Sequence, residues 1–214
     1  FIISGYVFSH VYLIENKVAN LKSFFINRFA RLYPLHFLTL IIVAFLQLYS
    51  FENFHNFFVH YYNDVYHFLL NTLFVSGWGF EKGPSFNGPI WSVSVEIVIY
   101  FIFFFLIINF KNNRILKSIL TVIVLIGYKK LLSNNFLNII NMNLINCGII
   151  FFEGILVYYF IKKINNNKIN FSVGIILLTA SIIGNFKIYV FLPSVLLIFL
   201  SLENLIKGKI VNFF

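Results

Sequence analysis

Seven stretches of this chain, over residues 1–14, 35–50, 90–109, 115–132, 144–161, 171–185 and 188–205, are dominated by apolar side chains. The longer ones approach the roughly 20 residues that a helix needs to cross the hydrocarbon core of a bilayer. With 60% hydrophobic and 11% charged residues, the chain has no composition for a soluble surface. Thirty Phe against two Trp suit bulk apolar filling rather than an aromatic-belted β-barrel. The expected fold is all-α: a polytopic transmembrane helix bundle of about seven spanning helices, with one short re-entrant or interfacial segment at 68–80. Residues 1–214 are expected to form a single transmembrane domain. Both ends lie in apolar sequence, at Phe1 and at Asn212-Phe213-Phe214, so the domain is expected to be truncated at both ends.

The formal charge of +9 does not point to nucleic acid, because the basic residues cluster between the apolar runs, as in cytoplasmic loops. Their distribution also orients the chain. If 68–80 does not cross the membrane, Lys17, Lys22, Arg28, Arg31, Lys111, Arg114, Lys117, Lys162, Lys163, Lys168, Lys207 and Lys209 share one side. Only Lys82, Lys129, Lys130 and Lys187 then face the other, twelve against four. If the segment crosses, the count is eight against eight, without bias. The re-entrant or interfacial reading is therefore preferred. It places Trp91 and Glu96 toward the outer half of the membrane and the Arg28/Arg31 pair at the inner face. The lone cysteine, Cys147, excludes an intramolecular disulfide and a cysteine-based metal site.

Glu96 is the first candidate for function. It stands at the head of an apolar helix, behind Gly88-Pro89-Ile90-Trp91-Ser92-Val93-Ser94-Val95. A carboxylate in or near the bilayer is costly unless paired, and so marks a functional site by default. Ser92 is i,i+4 to Glu96 and can hold it by a hydrogen bond, while Trp91 and Ser94 occupy an adjacent stripe. The plainer alternative is a carboxylate favoured by the helix dipole, with Trp91 as an interfacial anchor. Arg28, Arg31 and Pro34 form an R-x-x-R-x-x-P pattern with Lys22 upstream. Two guanidiniums at i,i+3 can clamp a phosphate or carboxylate, or can simply anchor the helix at the cytoplasmic face. Pro34 is expected in the first turn of the helix over 35–50. Glu153, between Phe152 and Gly154, is the most expensive charge in the chain, either functional or paired across helices. Gly5 and Ser9 let a neighbouring helix approach closely. The histidines show no metal-ligand spacing, and neither a P-loop nor a nucleophile elbow is present.

Phe1-Ile2-Ile3-Ser4-Gly5-Tyr6, Arg28-Phe29-Ala30-Arg31-Leu32-Tyr33-Pro34 and Trp91-Ser92-Val93-Ser94-Val95-Glu96 occur in that order. Together they resemble acyltransferase family 3, integral-membrane O-acyltransferases. The resemblance implies transfer of an acyl group, most simply acetyl, from acyl-CoA to a hydroxyl of a carbohydrate or glycolipid acceptor. That acceptor would belong to O-antigen (lipopolysaccharide), capsule or exopolysaccharide. It implies a multi-pass protein of a bacterial inner (plasma) membrane, with no bound cofactor and acetyl-CoA as donor substrate. Glu96, Ser92, Ser94 and Trp91 would be catalytic, and Arg28, Arg31, Lys22, Ser4 and Glu153 would bind substrate. The family's catalytic histidine belongs to a helix before Ser4, so residues 1–214 alone are expected to be inactive. The rival from another class is a non-enzymatic transporter or flippase of a glycan or lipid, with Glu96 and Glu153 lining a polar path.

Overall fold

The computed structural model describes residues 1–14, 21–108, 113–132, 142–184 and 188–211. Lys17, Lys111 and Lys187 of the charge count, and Asn212-Phe213-Phe214, lie outside the described residues. The described residues form helices and no strand: α1 (Ile2–Ser9), α2 (Leu21–Phe54), α3 (Val65–Thr72), α4 (Trp91–Phe103), α5 (Arg114–Leu132), α6 (Met142–Ile164), α7 (Asn167–Ile183) and α8 (Ile188–Val211). Single π-helical turns extend α1 over His10–Ile14 and α4 over Phe104–Ile108. Among the described residues three helices are long and apolar enough to cross a membrane: Lys22–Phe54, Gly88–Leu106 and Met142–Ile164. Asn167–Ile183 and Ile188–Glu203 are shorter apolar helices. The all-α membrane bundle expected from composition is thus the fold.

The chain forms two compact units. One comprises Phe1–Lys17, Leu106–Tyr128 and Asn146–Phe214. Its core includes Ile2, Val157, Leu196 and Leu197. Here α1 lies against α6 with almost no space between their backbones: a methyl at Gly5 would strike the carbonyl of Phe151, and one at Gly154 the carbonyl of Ile2. The close approach expected at Gly5 is real, and its counterpart is Gly154. Ser9 donates to the carbonyl of Gly5 at 2.9 Å, keeping its hydroxyl satisfied within α1.

The other unit comprises Val18–Phe105 and Lys129–Ile145. Its frame is the pair α2 and α4, which run antiparallel: Phe24 meets Phe104, Arg28 meets Tyr100, and Asn87, just before α4, meets Thr39. The 34 residues of α2 extend about 51 Å, well beyond a hydrocarbon core of about 30 Å. Its far end is tied to the following loop by two bonds, Gln47 Nε2 to the Phe58 carbonyl (2.7 Å) and Phe58 N–H to Gln47 Oε1 (2.8 Å). Pro34 falls inside α2 rather than at a helix start. The helix already begins at Leu21, well before the stretch 35–50 expected to form it. Proline is tolerated within a membrane helix where packing and neighbouring groups compensate for the lost N–H.

Between α2 and α4 no described helix is long enough to cross a membrane. Helix α3 has eight residues, about 12 Å, and is followed by a 3₁₀ turn at Ser76–Trp78. Asp64 caps α3, accepting from the His67 backbone N–H at 2.8 Å. With α2 and α4 antiparallel, the connection begins and ends at the same end of this helix pair, as the re-entrant or interfacial reading of 68–80 expects.

Candidate functional site

Arg28 and Glu96 meet directly. Arg28 Nη2 donates to Glu96 Oε2 at 2.8 Å and to the Tyr100 hydroxyl at 2.8 Å. The guanidinium also lies over the Tyr100 ring, 4.4 Å from its centroid, and 5.8 Å from that of Phe24. The spacing explains the assembly. Glu96, Tyr100 and Phe104 form an i,i+4 stripe on α4, and Phe24 and Arg28 form the matching stripe on α2. This overturns the expected separation of the Arg pair from Glu96. Charge counting assigns loops to sides of the membrane but is silent on how far along a helix a charge sits.

Glu96 is held by Arg28 and not by the serines. Ser92 turns back and donates to the Pro89 carbonyl at 3.0 Å, a bond typical of a helix's first turn. Ser94 is fully buried and faces the 3₁₀ turn: its hydroxyl accepts from the Gly77 N–H and its carbonyl from Trp78 Nε1, both at 3.0 Å. Gly77 is obligatory there, since a Cβ would come within 2.6 Å of the Trp91 carbonyl. Ser94 therefore brackets the connecting turn onto α4.

Arg31 is exposed and makes no hydrogen bond or ion pair among the described residues, so the two arginines do not act as one clamp on Glu96. Lys22 is exposed near the start of α2. Ser4 on α1 and Glu153 on α6 belong to the other compact unit, where Glu153 Oε2 is buried without a hydrogen-bond partner. Among the described residues no group of His, Cys, Asp and Glu is arranged to hold a metal ion.

Arg28 lines a cavity of about 520 Å³ walled by apolar side chains, among them Phe25, Phe29, Phe74, Trp78 and Ile97. A second, polar pocket of about 320 Å³ opens where Trp91 starts α4. Its wall is organised by a chain of hydrogen bonds that sequence reading missed. Asn87 Nδ2 donates to Thr39 Oγ1 (3.1 Å) and to His36 Nδ1 (3.3 Å), which leaves His36 Nε2–H to donate to the Asn71 carbonyl at 2.9 Å. His67, fully buried, is placed by Nδ1–H donating to Asp64 Oδ1 (2.7 Å) and by Nε2 accepting from the Lys82 N–H (3.2 Å). These bonds to the His67 backbone and ring hold the Asp64 carboxyl below the usual carboxylate range. Glu81 is shifted the other way: burial raises its carboxyl, with His67 opposing in part.

The family model for acyltransferase family 3, described as an acyltransferase domain, matches residues 1–206. The chain belongs to this family. Nothing among curated proteins or solved structures matches it. The three motifs that suggested the family are thus parts of one match across nearly the whole chain, and the protein is a membrane acyltransferase. In this member of the family, the arginine motif and the Trp-Ser-x-Ser-x-Glu motif converge through the Arg28–Glu96 pair.

Proposed function

We propose that the protein transfers an acyl group, most simply acetyl, from acyl-CoA to a hydroxyl of a cell-surface carbohydrate at a bacterial inner membrane. The observation that carries this reading is the Arg28–Glu96 pair, whose arginine lines an apolar cavity. Apolar surroundings strengthen such a pair and fix its geometry, which is what a reaction between a thioester and a neutral hydroxyl needs at its centre.

The chemistry is a substitution at the thioester carbonyl. The acceptor oxygen attacks the carbonyl carbon, the C–O bond forms, the C–S bond breaks, and the hydroxyl proton passes through a base to the departing thiolate. Glu96, already engaged by Arg28, serves to orient the reacting groups rather than as that base. Arg28 keeps further N–H donors beyond the one shared by Glu96 and Tyr100, and these are suited to oxygen atoms of the donor. Arg31, uncommitted and exposed, and Lys22 are assigned to the phosphates of CoA.

Donor kinetics test the assignment. In the purified full-length protein, Arg31→Ala should raise KM for acetyl-CoA about tenfold, the value of one charge-assisted hydrogen bond, with kcat little changed. Because Arg31 bonds none of the described residues, the melting temperature should hold. An unchanged KM for acetyl-CoA would remove Arg31 from the donor site.

A further inference from the structure

The polar pocket at the head of α4 has no part in donor binding as assigned above, yet its wall has the chemistry of a binding site. Asn71, Ser76, Glu81, Ser85, Asn87 and Trp91 contribute to it, bringing amides, hydroxyls, a carboxyl and one large aromatic ring together. Its volume of about 320 Å³ sits at the small end of the range of roughly 300–1,000 Å³ found for small-molecule pockets.

Two of these residues hold oxygens that no described residue satisfies. Asn71 is 1% exposed, and its Nδ2 is used twice, donating to the His67 carbonyl and to Ser85 Oγ, both at 2.9 Å. Its Oδ1 has no partner. Ser76 is 2% exposed, and its Oγ also has none. Buried polar atoms are almost always paired, so two orphans on residues that line one cavity mark a place where partners come from outside. The bonds that fix Asn71 allow only one role for its free atom, that of acceptor. Ser76 can donate or accept. The missing partners are therefore hydroxyl-like.

Charge narrows the ligand further. Among the described residues, no lysine or arginine lines the pocket, whereas Glu81 does. An anion would meet a carboxyl and no cation, which excludes the phosphates of acyl-CoA and disfavours any acidic sugar. Trp91 offers a flat apolar face of the kind that packs against the C–H face of a sugar ring. It is also the first residue of α4, the helix that carries Glu96 little more than one turn farther on.

We infer that this pocket is the acceptor subsite, that it seats one uncharged sugar ring, and that it rejects phosphorylated and uronic sugars. Hydroxyls of the ring bond Asn71 Oδ1 and Ser76 Oγ while the ring packs on Trp91. The assignment rests on the acyl-transfer reading for the name acceptor, but the binding of a neutral sugar does not depend on it.

The test is saturation-transfer NMR on the full-length protein in nanodiscs, without acyl donor, with glucose, galactose and N-acetylglucosamine as neutral probes and glucuronate as the charged one. At least one neutral sugar should show saturable transfer, and glucuronate none. Ser76→Ala should raise the dissociation constant of that sugar tenfold or more while leaving the melting temperature unchanged, because its hydroxyl bonds none of the described residues. Asn71→Ala should weaken binding likewise, and Glu81→Gln should admit glucuronate. The inference is overturned if no neutral sugar saturates, if Ser76→Ala binds as wild type does, or if glucuronate binds wild type as well as the neutral sugars do. Sugar binding by a protein that transfers no acyl group would keep the pocket and sink the enzymatic reading. Acyl transfer with an acceptor KM untouched by Ser76→Ala would do the reverse.

Discussion

Arg28→Met should expose how much the centre of the site depends on one ion pair. The substitution keeps a long apolar stem but removes the charge from Glu96, the bond to Tyr100 and the stacking over its ring. Breaking a fully buried pair from one side costs about 3–5 kcal/mol, and losing an exposed one about 0–1. The Arg28 and Glu96 side chains are 34% and 24% exposed, between those limits, so the pair should account for about 2 kcal/mol. Loss of the guanidinium over the ring adds about 0.5–1 kcal/mol. Arg28→Met should therefore cost about 2–3 kcal/mol. Glu96→Gln, which keeps an oxygen for Arg28, should cost less, about 1 kcal/mol. The double variant should be less destabilised than the sum of the singles by about 1–2 kcal/mol, because it leaves no stranded carboxylate. Unfolding by detergent titration, followed by tryptophan fluorescence, provides the four stabilities. Single effects that add to within about 0.3–0.5 kcal/mol would show that the two side chains are not coupled, and the reasoning would fall.

Three glycine variants separate the packing argument from the electrostatic one. Gly5→Ala or Gly154→Ala forces a methyl into a facing backbone carbonyl that cannot rotate away, and should cost at least about 1–3 kcal/mol, read as lost monodisperse protein in size-exclusion chromatography. Gly127→Ala, with nothing within 4 Å of the new methyl, should be neutral or stabilising by about 0.5–1 kcal/mol; equal loss in all three would refute the close-approach account. Glu81 should give a pH signature. Burial raises its carboxyl, so the folded protein holds that proton more tightly than the unfolded chain. Its contribution is full below about pH 4.3 and is lost as pH rises through the folded-state value. Glu81→Gln should thus melt higher than wild type at pH 7 and equal to it at pH 4, and a difference that does not change with pH would contradict the assignment.

Much of the fold was legible because membrane helices announce themselves by uninterrupted apolar sequence, and α4, α5 and α6 fall close to their expected bounds. The start of α2 was not, since Lys22, Arg28 and Arg31 resemble a loop when read as composition and Pro34 resembles a first-turn residue. The same basic residues hid the site. Arg28 looks like an anchor at the membrane face until the antiparallel packing of α2 on α4 brings its stripe opposite Glu96–Tyr100. The clue was present: an intramembrane carboxylate needs a partner, and a tyrosine one turn beyond Glu96 gives that partner a second bond. The polar pocket was invisible for a different reason. Asn71, Ser76, Glu81 and Asn87 are unremarkable one by one, and only the folding of α3 and the 3₁₀ turn against α4 gathers them.

The central claim is acyl transfer to a surface glycan through the Arg28–Glu96 centre. Mass spectrometry of surface glycans from cells deleted for this protein, complemented with wild type or with Glu96→Gln expressed to the same level, tests it most directly. The account predicts that deletion removes an acyl group from the glycan, that wild type restores it, and that Glu96→Gln does not. Glycans of identical mass in all three strains would contradict it.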